Sequence, residues 1–123
     1  MGTGTRKNYV SSIERLEDRA RTLARQGDFF FAKWVLSTGG TRSAPVLIIG
    51  VDADPEDVVV CACTGSPART SFDIEVALKM KTFVRTNKVY TIGRAQLRFP
   101  IPQKATPIEF ARIMQSIRRV FGI

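Results

Sequence analysis

Val58-Val59-Val60-Cys61-Ala62-Cys63 is an unbroken apolar run that ends in Thr64-Gly65-Ser66, and Phe83-Val84-Arg85-Thr86-Asn87-Lys88-Val89-Tyr90-Thr91-Ile92 follows it with an arginine among β-branched and aromatic residues. A short apolar run bounded by turn residues predicts a buried strand. The second stretch predicts strands over 82–84 and 88–92. A strand that delivers a hydroxyl and a glycine turn to its end, followed by a strand carrying a guanidinium, is a compact way to hold a phosphate.

The same punctuation extends outward. Phe29-Phe30-Phe31-Ala32-Lys33-Trp34-Val35-Leu36, Pro45-Val46-Leu47-Ile48-Ile49 and Phe72-Asp73-Ile74-Glu75-Val76 are further short runs bounded by Gly, Pro, Asp and Ser, and each predicts a strand. Asp52, Asp54, Glu56 and Asp57 around Pro55 predict a hairpin turn; their spacing lacks the glycine and distal glutamate of a calcium loop. Ile13, Leu16, Ala20 and Leu23 recur at helical steps. They predict a helix over 8–25, capped by Ser11 or Ser12, stopped by Gly27, and packed on the domain or on a partner. Thr106-Pro107-Ile108-Glu109 is a capping box with proline at the first helical position, and Phe110, Ile113, Met114, Ile117 and Phe121 form one stripe up to Gly122. The expected fold is mainly β with terminal helices: a helical extension over 1–26, then a small, strongly bent antiparallel barrel over 27–123 closed by a helix.

With 123 residues, 44% of them hydrophobic, the chain has the material for one domain with a real core. No apolar run is long enough to span a membrane and the first residues lack a signal-peptide core, so the expected location is cytoplasmic. Cys61 and Cys63 lie on one face of a strand, where a disulfide would be strained and two thiols make a poor zinc site; reduced core residues are expected. Charge is unevenly placed. Residues 1–75 carry nine Lys and Arg against ten Asp and Glu, and residues 76–123 carry ten against one. A basic half of this kind favours a polyanion or an acidic protein partner.

There is no histidine in the chain. That removes the usual general base, Ser-His and Cys-His nucleophiles, and most catalytic zinc sites. Gly39-Gly40-Thr41-Arg42 lacks the lysine and following helix of a nucleotide-binding loop. What remains are hydroxyls and guanidinium groups: Thr41, Arg42, Thr64, Ser66, Arg69, Thr70, Thr82, Arg85 and Thr86.

In their order along the chain these residues resemble a family. Gly27-Asp28 opening the first strand, Gly40-Thr41-Arg42 before Pro45-Val46-Leu47-Ile48-Ile49, Val58-Val59-Val60 through Thr64-Gly65, and Phe83-Val84-Arg85-Thr86-Asn87 through Thr91-Ile92 resemble the pattern of the MazF/PemK/Kid toxins of type II toxin–antitoxin systems. The resemblance covers residues 27–121. It implies an SH3-like barrel, a homodimer, and cleavage of single-stranded RNA without a metal or other cofactor, restrained by an antitoxin with an acidic segment.

Carried onto this sequence, the resemblance implies Arg42, Thr64 and Arg85 as catalytic residues. Gly65, Ser66, Arg69, Thr70, Lys81, Thr82, Asn87 and Lys88 are the candidate substrate-binding residues. Lys79, Lys81, Lys88 and Arg94 are candidates to follow the RNA backbone, with Phe83, Phe72 or Tyr90 as stacking surfaces. Two positions depart from the family pattern. Ser43-Ala44 separates Arg42 from Pro45, where the family has arginine directly before proline, and Asn87 stands where some members carry an aspartate proposed as base. Asp73 and Glu75 are available to substitute. The alternative is a barrel without catalysis that binds nucleic acid or a protein.

Overall fold

A computed structural model of the chain describes residues 2–51, 53 and 55–123, with side chains from residue 12 onward. The Ser11 side chain and the acidic turn residues Asp52 and Asp54 lie outside the described residues. In chain order the elements are α1 (Gly2–Leu23), β1 (Phe29–Val35), β2 (Thr41–Val51), β3 (Asp57–Thr64), β4 (Asp73–Ala77), β5 (Lys81–Gly93), a 3-10 turn over Arg94–Gln96, β6 (Leu97–Ile101) and α2 (Pro107–Phe121). The strands form one antiparallel sheet in the order β4-β5-β3-β2-β1-β6.

Connectivity shows that the sheet is bent. Strands β5 and β6 stand four places apart, about 19 Å if the sheet were flat. The four-residue step from Gly93 to Leu97 reaches at most about 14 Å and less when wound as a 3-10 turn. The sheet therefore curls until its two ends approach, as expected of a small barrel.

Alternation along the strands then builds two cores. Phe30, Trp34, Val46, Ile48, Val58 and Val60 face the inside of the curl, where Ala24 from the segment after α1 joins them. Phe29, Leu47, Cys61, Cys63 and Val84 face outward and are covered by Ile113 and Ile117 of α2. Strand β3 lies between the two layers, which is why its apolar run has no polar alternation. Trp34 is a core residue, stacked at a tilt against Tyr90 with ring centroids 5.4 Å apart.

Several boundaries differ from expectation. Helix α1 begins at Gly2, so Ser12 lies within it rather than at its cap. Its stripe is also largely uncovered: Ile13, Leu16 and Leu23 are exposed, while Ala20 and Ala24 make the contact with the sheet. The expected strands over 82–84 and 88–92 are one strand, β5, carrying a large bulge. Strand β6 was not anticipated. Helix α2 begins as expected: Thr106 Oγ1 accepts from Glu109 N at 3.1 Å and Glu109 Oε1 accepts from Thr106 N at 2.8 Å. It closes at Gly122, whose φ of 71° is a left-handed conformation suited to glycine. Among the described residues no helix is long and apolar enough to cross a membrane.

Candidate active site

Strands β2, β3 and β5 bring one group each to the same end of the curl. Arg42 lies near the start of β2, on the face of Ala44, Val46 and Ile48. Because strand side chains repeat every two residues, the Ser43-Ala44 insertion keeps the arginine on the inner face. It moves it along the strand by about 7 Å relative to a position next to Pro45. Arg42 is therefore a strand residue, paired with Trp34, and not part of a flexible loop.

Thr64 is the last residue of β3. Its Oγ1 accepts from Ser66 N at 3.1 Å, and no acceptor among the described residues takes its proton. That leaves its proton free to be donated. Arg85 reaches the inner face through the β5 bulge. Cys61 pairs with Val89 and Cys63 with Val84, so Ala62 alone stands opposite residues 85–88. Before the bulge Val84 faces α2 and Arg85 faces inward; after it Tyr90 and Ile92 face inward. Bulges re-aim side chains in this way beside functional sites.

Arg42, Thr64 and Arg85 line one cavity of about 140 Å³ together with Ser66, Pro67, Arg69 and Asp73. Pockets that enclose a whole drug-sized ligand run from about 300 Å³ upward, so this one has the scale of an anionic group rather than a nucleotide. Three arginines and one carboxylate residue line it, and a planar guanidinium binds phosphate oxygens through paired hydrogen bonds. The carboxylate, Asp73, is buried. Its Oδ2 accepts from Arg69 N at 2.9 Å and Thr70 N at 3.4 Å, and its Oδ1 lies 3.6 Å from Arg85 Nε.

The loop that frames the cavity is fastened to α2. Thr86 Oγ1 donates to Phe72 O at 2.6 Å, and Ser116 Oγ, also 2.6 Å away, donates to Thr86. Arg119 lies over the Phe72 ring at 5.0 Å.

The other residues named from sequence fall in different places. Gly65 and Thr70 belong to the framing loop but do not line the cavity. Lys81 pairs with Glu75 at 3.5 Å and covers the Phe83 ring, so Glu75 is no replacement base for this cavity. Thr82 is buried and donates to Met80 O. Asn87 and Lys88 sit in the bulge outside the lining, and the buried Asn87 Oδ1 has no hydrogen-bond partner. Arg94 is not a backbone tracker. Its Nη1 caps α1, donating to Arg21 O at 2.7 Å and Ala24 O at 2.9 Å. Of the stacking candidates, Phe72 is already covered by Arg119 and Tyr90 by Trp34, whereas Lys79 and Lys88 are exposed.

Cys61 and Cys63 are free, buried thiols. Burial pushes the Cys61 thiol up to about 12 and the Cys63 thiol up as well, so neither offers a nucleophile. Among the described residues no cluster of three or more His, Cys, Asp or Glu could hold a metal ion.

A curled antiparallel sheet with a helix across its outer face defines a small barrel, here with an arginine-lined cavity at one strand end. Solved structures give that fold a name. The chain is similar to an endoribonuclease from a mycobacterial species (16% identity, TM-score 0.67, 81% of this chain and 92% of that one). It is also similar to a mycobacterial endoribonuclease in complex with its cognate antitoxin (18% identity, TM-score 0.67, 81% and 96%). A third match is MazF from Deinococcus radiodurans (12% identity, TM-score 0.69, 81% and 97%). The chain has the MazF fold. No protein-family model and no curated protein sequence matches it.

Proposed function

We propose that the protein is a toxin-type endoribonuclease that cleaves single-stranded RNA without a metal at the cavity between β2, β3 and β5. The convergence of Arg42, Thr64 and Arg85 in one phosphate-sized space on a MazF fold carries this reading. In such cleavage the 2′-oxygen attacks the neighbouring phosphorus, the bond to the 5′-oxygen breaks, and a 2′,3′-cyclic phosphate and a 5′-hydroxyl result. Arg42 and Arg85 neutralise the charge that builds on the phosphoryl oxygens, and the Thr64 hydroxyl donates to one of them. The lining holds no histidine, and its one carboxylate already faces two N–H groups and a guanidinium. The proton lost by the 2′-oxygen and the proton gained by the 5′-oxygen therefore exchange with water.

The exposed lysines and the basic C-terminal half hold the RNA electrostatically. An antitoxin with an acidic segment competes for the same charge, and the active form is a homodimer. Product analysis tests the chemistry. Single-stranded RNA incubated with the protein in EDTA is expected to yield 2′,3′-cyclic phosphate ends, and a 2′-deoxy substitution at the scissile nucleotide is expected to block the cut. Salt-sensitive RNA binding without any turnover would instead identify a binding module.

A further inference from the structure

Asp73 is the one buried carboxylate in the cavity lining, and its two oxygens face different walls. It opens β4 directly opposite Arg85 in the strand register. Oδ2 takes the N–H groups of Arg69 and Thr70 at 2.9 and 3.4 Å, while Oδ1 and Arg85 Nε face each other at 3.6 Å, each without another hydrogen-bond partner. The Asp73 side chain is 1% exposed and that of Arg85 17%.

We propose that Asp73 is a positioning residue that sets Arg85 and the 66–70 loop around the phosphate, a role that rests on the function proposed above. A guanidinium has two edges. With Nε turned to Asp73, the edge carrying Nη1 and Nη2 is the one left for a phosphate, and neither nitrogen has an acceptor among the described residues. The other oxygen fixes the backbone from which Arg69 reaches the same cavity. Asp73 acts through these neighbours and does not take the 2′-proton, since one oxygen is filled by two N–H groups and the other faces a cation.

The chemistry demands a group that only accepts. An asparagine at this position would turn its NH₂ either toward Arg85 Nε or toward the loop N–H groups, placing donor against donor in both orientations. Glutamate keeps two accepting oxygens but is one methylene longer.

The experiment is a double-mutant cycle read on cleavage and on binding. D73N is expected to lower kcat by on the order of 10–10²-fold, as loss of a group that orients a functional residue does elsewhere, with KM within about threefold. In an R85A background the same change is expected to cost at least about fivefold less than in wild type, because only the contacts to the 66–70 loop remain to be lost. D73E is expected to fall between wild type and D73N; if D73N does not fold, D73E carries the cycle. The pH profile of kcat is expected to keep its shape. Equal losses in both backgrounds, an unchanged kcat, or disappearance of an acidic limb would overturn the proposal.

Binding of a short single-stranded DNA, which lacks the 2′-hydroxyl, separates this claim from the function itself. If wild-type protein binds it without cleaving RNA, the nuclease reading fails, and a D73N effect on affinity that shrinks in R85A still supports positioning. If the protein binds no single strand, both fail.

Discussion

Thr64 enters the cavity with its oxygen engaged by the Ser66 N–H, so the part of the hydroxyl left to act is its proton. Thr64→Val keeps the shape and removes that donor; a kcat loss on the order of 10²–10³-fold is expected, with recovery in Thr64→Ser. The two cysteines give the opposite expectation. Because burial holds both thiols protonated, native protein at pH 8 should resist alkylation that goes to completion in urea, a contrast read by mass spectrometry. At this scale the sequence was informative where a strand's period did the work. Arg42 points inward because two inserted residues are a whole repeat of a strand, and Thr64 ends an apolar run. Asp73 was visible only as a spare carboxylate. Its two N–H partners come from the loop four and three residues before it and its cation from another strand, a convergence set by tertiary structure.

Helix α2 is the element whose limits were most legible, because its cap is written in consecutive residues. Thr106→Ala removes the acceptor for Glu109 N and should lower stability by about 1 kcal/mol, or roughly 4 °C in the thermal midpoint, with cleavage unchanged. Glu109 adds a pH dependence. The Thr106 N–H, with the Ala77 N–H and Arg112, holds its carboxyl below the ordinary 4.5. The stabilisation is complete above that value and is lost as pH falls through the lowered folded value; urea titrations of Glu109→Gln should show a flatter acid limb. Strand β6 was illegible for a related reason. Leu97-Arg98-Phe99-Pro100-Ile101 carries a proline and a charge that argue against a central strand, but β6 is an edge strand, where both are tolerated. Strand β5 was split because its bulge, Arg85-Thr86-Asn87-Lys88, is polar in sequence although continuous in backbone.

Across the whole molecule the curl separates two tasks. One end of β3 meets the cavity, and the other lies by Gly93 and the arginine clamp on α1. The clamp is structural: Arg94→Ala should release the end of α1, cost about 2 kcal/mol in urea denaturation for its charged hydrogen bonds to carbonyls, and leave cleavage intact. Bending of the sheet was legible as a succession of many short strands, and charge asymmetry was legible by counting. The exposed stripe of α1 was not, because periodicity identifies an apolar face without saying what covers it.

The proposed chemistry requires three side chains, Arg42, Thr64 and Arg85, to act together on one phosphate. The most direct measurement is the initial rate of single-stranded RNA cleavage in EDTA for wild type, R42A and R85A, each checked by thermal melting. Wild type is expected to cleave, and each variant is expected to lose on the order of 10²–10³-fold in rate with its midpoint within a few degrees. Cleavage by R85A at the wild-type rate, or cleavage that appears only when a divalent metal is added, would contradict it.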